Sequence, residues 1–137
     1  MGSEMCIRDR AEVEDLKRCG LSRRKAEYIK SLAVKVSSGE FNPESLYKSE
    51  PAKIVEKLTE FRGFGRWTAE LVMAAVMGLN VIPADDLGVR KAISHFYFKG
   101  KLQPPETIRK FAEQRFGEHL RDILVYLLMA YRMGLKV

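Results

Sequence analysis

Residues 58–72 read LTEFRGFGRWTAELV, and this stretch decides the fold. Apolar residues at helical spacing precede and follow a turn in which Gly63 and Gly65 flank Phe64. Glycine permits positive φ and the close approach of another backbone, and the unpaired N–H groups that begin a helix favour a phosphate. The pattern predicts two helices joined by a hairpin, over residues 58–78, that presents bare amides to a nucleic-acid backbone. An ordinary tight connection between two helices is the alternative.

The helix that leaves this turn, at about residues 66–77, is apolar on nearly every face except at Glu70. We therefore expect it to be a buried central helix. The sequence PADDLGVRK follows at residues 83–91, and Asp85 or Asp86 begins the next helix. Aspartate is a favoured N-cap in any helix, so capping alone is one explanation of this pair.

The rest of the chain predicts further helices and no strands. Their approximate ranges are 11–18, 22–36, 43–47, 51–60, 85–98, 104–116 and 119–133, and the last is expected to be a second core helix. No stretch alternates between apolar and polar residues over strand length, so the fold class is all-α, a compact helical bundle that contains the hairpin. At 137 residues the chain is one domain. Residues 1–10 do not resemble domain sequence and are interpreted as a cloning or assembly scar, which leaves 11–137 as the domain.

The composition is that of an ordinary globular protein with a basic surface. Hydrophobic residues make up 46% and charged residues 31%, and the net charge of +6 suits a polyanionic partner. No uncharged apolar stretch reaches the roughly 18 residues that a membrane span needs, and the chain has no signal peptide pattern. We therefore expect no membrane association and an intracellular location, in the cytoplasm and nucleoid or in a nucleus.

Two motifs in this order and at this spacing resemble the helix-hairpin-helix (HhH-GPD) superfamily of DNA glycosylases. Gly63-Phe64-Gly65-Arg66-Trp67-Thr68-Ala69 and the PADDLGVRK stretch carry the resemblance, which within the superfamily is to the AlkA-like 3-methyladenine DNA glycosylases (glycosylase II). It implies a monofunctional N-glycosylase of base excision repair that flips an alkylated purine out of double-stranded DNA and hydrolyses its N-glycosidic bond. Family members have several more helices before the one that Ser22 caps. Residues 11–137 are therefore expected to be a partial, N-terminally truncated domain of a protein that is a monomer at full length.

The resemblance assigns the catalytic role to Asp86, with Asp85 as the alternative. Departure of the base leaves positive charge on the sugar, which a nearby carboxylate stabilises while it orients or deprotonates water. Bifunctional relatives have a lysine where this chain has Trp67, and without that amine no Schiff base forms and no lyase activity is expected. The face of Trp67 suits a cationic base, although core packing next to an apolar helix also explains this tryptophan.

The resemblance also implies the remaining contacts of the site. Expected base-pocket residues are Trp67, Leu71 and Met129, and expected DNA-binding residues are Arg62, Gly63, Phe64, Gly65, Arg66 and Thr68. In relatives, backbone carbonyls at the hairpin hold a monovalent cation, Na⁺ or K⁺, and the matching positions are Thr59, Phe61 and Phe64. No other cofactor is expected. The two cysteines are Cys6 and Cys19, and none follows where the endonuclease III branch holds its iron–sulfur cluster.

Two other functions fit the same residues. A helix-hairpin-helix domain can bind DNA without chemistry, and the expected truncation favours that interpretation. A glycosylase of this type can instead remove uracil, mismatched thymine or oxidised guanine, because lesion choice depends on the shape of the pocket. The release of base from alkylated duplex, compared across a panel of lesions, distinguishes these functions.

Overall fold

The computed structural model describes residues 10–135, and all of the regular structure in that range is helical. The α-helices are α1 (Val13–Arg18), α2 (Arg23–Ser37), α3 (Pro51–Thr59), α4 (Arg66–Ala75), α5 (Leu87–Tyr97), α6 (Pro105–Phe116) and α7 (Leu120–Arg132), and 3₁₀ turns cover Pro43–Lys48 and Gly117–His119. The all-α prediction is confirmed. Residues 1–9, most of the predicted leader, lie outside the described residues, so the domain boundary at residue 10 stays a prediction.

The chain divides into two compact units, the first ending at residue 64 and the second beginning at residue 65. In the first unit α1 packs against α2, and the side chain of Ser22 caps α2 as its sequence predicts. The ring of Phe61, just after α3, meets the ring of Phe41 edge-on with centroids 4.7 Å apart. The buried apolar side chains of this unit are Ala26, Ala33, Leu46, Ile54 and Leu58.

The first glycine of the hairpin turn has a backbone conformation that side chains rarely adopt. Gly63 has a φ of +92°, and a Cβ at this position would collide with the ring of Tyr28. Gly65 has a φ of −97° with open space around it, and it is the N-cap residue of α4 without a capping side chain. The turn therefore needs glycine at position 63 for its conformation, whereas glycine at position 65 leaves the start of α4 bare.

The second unit is built around α5, α6 and α7, which pack against one another. Its core consists of Ile82, Ala84, Val89, Ile93, Ile108, Ala112, Phe116, Leu120 and Leu124. Two of these, Ile82 and Ala84, come from the loop that precedes α5, so burial on both sides of Pro83 fixes this loop. The start of α5 is held against the core for the same reason.

The prediction that α4 is buried on nearly every face is wrong, and the helix ends at Ala75 rather than near residue 77. Trp67 and Leu71 are 42% and 40% exposed, whereas Glu70 is buried. The carboxylate can be buried because arginine side chains neutralise it.

The prediction that α7 is a core helix holds for one of its faces. Leu120 and Leu124 are buried, whereas Val125, Tyr126 and Met129 are exposed. Within residues 10–135 no helix combines the length and the apolar character that crossing a bilayer requires.

Replacing Gly63 by alanine should destabilise the protein by about 2 kcal/mol, because the new Cβ adds positive-φ strain and a collision with Tyr28. Urea unfolding measured by circular dichroism checks this free energy. Gly65→Ala is the matched control. With φ at −97° and nothing within 4 Å of the new Cβ, it should change the free energy of unfolding by less than about 0.5 kcal/mol. Equal effects of the two substitutions would contradict this account of the turn.

Candidate active site

A cavity of about 510 Å³ lies in the second unit beside the start of α5, and this volume is typical of small-molecule sites. Its wall is mostly apolar and comes from α4, α7, the loop before α5 and the first turn of α5. The lining residues are Leu71, Ala74, Ala75, Val81, Pro83, Asp86, Gly88, Val89, Arg121, Leu124, Val125, Leu128, Tyr131 and Arg132. Among these described residues Asp86 is the only carboxylate, which makes it the one acidic group at the cavity.

Hydrogen bonds to the first turn of α5 hold Asp86 in place. Its Oδ1 accepts the N–H of Val89 at 3.0 Å, and its backbone carbonyl accepts the N–H of Arg90 at 3.0 Å. Of the two aspartates that the sequence left open as the cap, Asp86 is therefore the N-cap. Within residues 10–135 its Oδ2 has no hydrogen-bond partner. One oxygen is thus fixed by the helix, while the other is available to a ligand.

Gly88 leaves space for this carboxylate. A Cβ at Gly88 would lie 2.9 Å from Asp86 Oδ1, a distance at which one of the two groups has to move. The missing side chain in the first turn of α5 therefore allows Asp86 to keep its capping geometry beside the cavity.

Asp85 has different surroundings. Its Oδ2 lies 3.7 Å from Nη2 of Arg109, and it is not one of the residues that line the cavity. The structure thus separates the two candidate acids: Asp86 borders the cavity, and Asp85 belongs to an ion-pair network.

The structure brings one of the three predicted base-pocket residues to the cavity. Leu71 lines it together with Asp86, whereas Trp67 and Met129 are outside the lining and exposed. Trp67 lies one turn before Leu71 on the same face of α4, so it extends the apolar surface toward the start of the helix. Met129 lies one turn after Val125 on α7, between the lining residues Leu128 and Tyr131, but its own side chain is exposed and outside the lining.

Sequence reasoning missed most of the wall that α7 contributes. Leu124, Leu128 and Tyr131 occur at helical spacing and line the cavity, with Arg132 next to Tyr131. The signal was this periodicity, but periodicity alone does not distinguish a face that meets the core from one that borders a cavity.

The start of α4 has unpaired amide donors. Gly65 supplies no cap, and among the described residues the N–H groups of Arg66, Trp67 and Thr68 have no acceptor. The N–H of Phe64 differs from them because it donates to the carbonyl of Phe61 at 3.0 Å, so it is not free for a phosphate. The positive end of the helix dipole adds to the attraction that the three free amides have for an anion.

Two exposed arginines flank the turn in the sequence: Arg62 directly precedes Gly63, and Arg66 directly follows Gly65. Nε of Arg66 donates to Glu70 at 2.8 Å, and this hydrogen bond raises the pKa of the Arg66 guanidinium above its ordinary value. The Nη nitrogens of Arg66 make no hydrogen bond within the described part of the chain, so they remain available to an anion.

The three carbonyls matched to a cation site differ in their hydrogen bonding. The carbonyls of Thr59 and Phe64 accept no hydrogen bond from a described residue, whereas Phe61 accepts one from Phe64. These unused lone pairs fit a monovalent cation. No group of three His, Cys, Asp or Glu side chains in residues 10–135 is arranged to hold a metal ion.

The fold matches solved structures of DNA repair proteins. A 3-methyladenine DNA glycosylase from Archaeoglobus fulgidus is 47% identical, with a TM-score of 0.85 that covers 96% of this chain and 43% of that one. The 3-methyladenine DNA glycosylase of Schizosaccharomyces pombe, solved in complex with abasic DNA, is 25% identical, with a TM-score of 0.81 that covers 93% of this chain and 63% of that one.

The sequence matches the same group of proteins. DNA-3-methyladenine glycosylase 1 of Schizosaccharomyces pombe is 32% identical over 78% of this chain and 47% of its own length. A putative DNA-3-methyladenine glycosylase of Bacillus subtilis is 32% identical over 85% of this chain and 40% of its own length. The chain thus spans less than half the length of these two curated relatives. Residues 4–118 match the family model described as HhH-GPD superfamily base excision DNA repair protein, and the chain belongs to that superfamily.

Proposed function

We propose that the chain is the catalytic part of a monofunctional DNA N-glycosylase that removes alkylated purines such as 3-methyladenine from double-stranded DNA. The observation that carries the proposal is Asp86, which caps α5 with one oxygen and has its other oxygen free beside a cavity of about 510 Å³. The names of the similar proteins support alkylated purines as the substrate class. The enzyme would act as a monomer inside the cell, where its DNA is.

Binding of the DNA backbone is assigned to the hairpin. The exposed glycines Gly63 and Gly65 allow a phosphate to approach, and the free amides from Arg66 to Thr68 are available to donate hydrogen bonds to it. Arg62, next to Gly63 in the sequence, adds a positive charge. A Na⁺ or K⁺ ion on the nearby carbonyls would add positive charge at the same turn. The net charge of +6 favours association with DNA in general.

The base pocket is assigned to the cavity in the second unit. A flipped base would lie against Leu71 and Tyr131, and Trp67 would extend this surface where the base enters. An aromatic face attracts a cationic base, which favours alkylated purines over neutral lesions.

In the proposed reaction Asp86 stabilises the sugar as the bond to the base breaks. The electron pair of the C1′–N bond leaves with the base, and a 3-methylated adenine, which is cationic in DNA, departs as a neutral molecule without a general acid. Oδ2 of Asp86 faces the positive charge at C1′ and accepts a proton from the water that attacks there. The products are an abasic site and free base. The strand stays intact because Trp67 has no amine to form a Schiff base.

A DNA-binding module without chemistry is the second candidate, because the chain spans less than half the length of its curated relatives. An assay with end-labelled, methylated duplex DNA separates the two. A glycosylase releases methylated base, detected by chromatography, and the strand breaks only after hot alkali. Parallel duplexes with uracil, mismatched thymine or oxidised guanine test the choice of lesion. Retarded mobility of every duplex with no base released from any would leave only the binding module.

Replacing Asp86 by asparagine should lower the single-turnover rate of base release by about 10²-fold or more. Asparagine is also a good N-cap, so the fold and DNA affinity should be retained. Asp85→Asn is the matched comparison, and it should keep most of the rate because Asp85 is not part of the cavity wall. A larger loss with Asp85→Asn than with Asp86→Asn would reverse the assignment of the two acids.

Replacing Gly88 by alanine should separate stability from activity. Alanine favours the helix by about 1 kcal/mol over glycine, which offsets the roughly 1 kcal/mol that a weakened Asp86 cap would cost, so the free energy of unfolding should change by less than about 1 kcal/mol. The new Cβ would nevertheless press on Asp86 Oδ1 and displace the carboxylate, which should slow base release by about 10-fold or more. Thr107→Ala, at an exposed position of α6, is the control and should change neither property. A Gly88→Ala protein with the wild-type rate would show that the position of this carboxylate is not critical.

A further inference from the structure

The second unit buries a pair of opposite charges that the proposed chemistry does not use. Glu70 on α4 is 4% exposed and Arg109 on α6 is 9% exposed. Nη1 of Arg109 donates to Oε1 of Glu70 at 2.8 Å, and Nη2 donates to Oε2 at 3.3 Å. A buried ion pair is often no more stabilising than apolar side chains of the same volume. Stability alone therefore gives little reason for this pair.

Arg109 also contacts the segment that leads into the active site. Its Nη1 donates to the carbonyl of Ile82 at 3.1 Å, and its Nη2 lies 3.7 Å from Oδ2 of Asp85. Its Nε, which is buried, has no hydrogen-bond partner in the described residues. Among residues 10–135 the hydrogen bonds of this guanidinium run from its terminal nitrogens to Glu70 and to the segment before Asp86, and its Nε lies 3.7 Å from Oε1 of Glu106.

That segment is made of two tight turns. The N–H of Ala84 donates to the carbonyl of Ile82 at 2.9 Å, and the N–H of Asp86 donates to the carbonyl of Pro83 at 3.0 Å. Such short-range bonds fix the shape of the segment, and the burial of Ile82 and Ala84 in the core holds its apolar side chains. Arg109 adds the polar outside contact to its backbone, and Glu70, on α4, fixes the direction of Arg109.

We propose that Glu70 and Arg109 are positioning residues that hold the segment of residues 82–85 and, through it, the carboxylate of Asp86. The expected effect on the rate of base release rests on the proposed glycosylase function. The expected effect on the order of residues 82–85 does not depend on that function. A displacement of about 1 Å in a catalytic group can cost about 10²-fold in rate. DNA affinity should change less, because the free amides at the start of α4 are not part of the pair. Glu70 also accepts a hydrogen bond from Nε of Arg66, but the Nη nitrogens of Arg66 stay available to an anion without it.

The experiment uses a variant that removes the pair while keeping the interior filled. In the double variant Glu70→Leu, Arg109→Met both charges are replaced by apolar side chains, so thermal unfolding should occur close to the wild-type temperature. The amide hydrogens of Ala84 and Asp86 should exchange with solvent about 10-fold faster or more, because their turns lose the outside contact. Single-turnover base release should fall by about 10-fold or more, and the Kd for DNA should change by less than about 3-fold.

Arg109→Lys is the second variant and serves if the double variant does not fold. It keeps the charge opposite Glu70, but a single ammonium cannot contact both carboxylate oxygens and the Ile82 carbonyl as the guanidinium fork does. Like the double variant, it should show faster exchange of the Ala84 and Asp86 amide hydrogens and slower release of base. Glu40→Gln, which removes an exposed ion pair with Lys35 at 2.6 Å, is the control and should show neither.

A folded variant that releases base at the wild-type rate, or one whose Ala84 and Asp86 amides exchange at the wild-type rate, overturns the proposal. If the wild-type protein releases no base from alkylated DNA, the proposed function fails instead. In that case hydrogen exchange alone decides whether the pair holds the segment.

Discussion

The second unit depends on the neutralisation of one buried carboxylate, Glu70. An isolated ionised group in the interior would cost several kcal/mol, so the fold has to bring a cation to it. Arg109 has more donors than the carboxylate can accept, and one of its nitrogens also reaches the carbonyl of Ile82. The pairing that satisfies the charge of α4 therefore also contacts a stretch of backbone that belongs to no helix and that Ile82 and Ala84 anchor in the core, and α5 begins where this stretch ends.

Asp86 combines a structural and a chemical role because its two oxygens have different surroundings. The capping oxygen is bound to the N–H of Val89, which fixes the side-chain torsions, so the second oxygen has a defined position at the edge of the cavity. A carboxylate that stabilises a transition state is most effective when it does not have to reorganise during the reaction. The helix thus provides the preorganisation, and Gly88 provides the space for it.

The sequence predicted where the helices of this fold begin and end better than which of their faces are buried. Helix starts at Ser22, at Pro51 and at the Asp85-Asp86 pair follow from local chemistry, since a cap or a proline acts within a few residues of itself. The buried side of α4 did not follow, because it is set by Arg109, 39 residues after Glu70, and no periodicity encodes that partner. Most of the cavity wall on α7 was missed for a similar reason: whether Leu128 faces a core or a cavity depends on the packing of distant residues.

Two helix starts in the second unit use the same physics in opposite ways. Each has unpaired N–H groups and the positive end of a helix dipole, which together attract negative charge. At α5 the chain supplies that charge itself through Asp86, whose carboxylate accepts a hydrogen bond from the first turn and is thereby held in place. At α4 the N-cap is Gly65, which has no side chain, so the amides of the first turn stay free for a negative charge from outside the protein. For a protein that has to bind a phosphate and also present an acid, exchanging the two caps would remove both properties. The phosphate would meet a carboxylate at α4, and the cavity would lose the one carboxylate that residues 10–135 place in its wall.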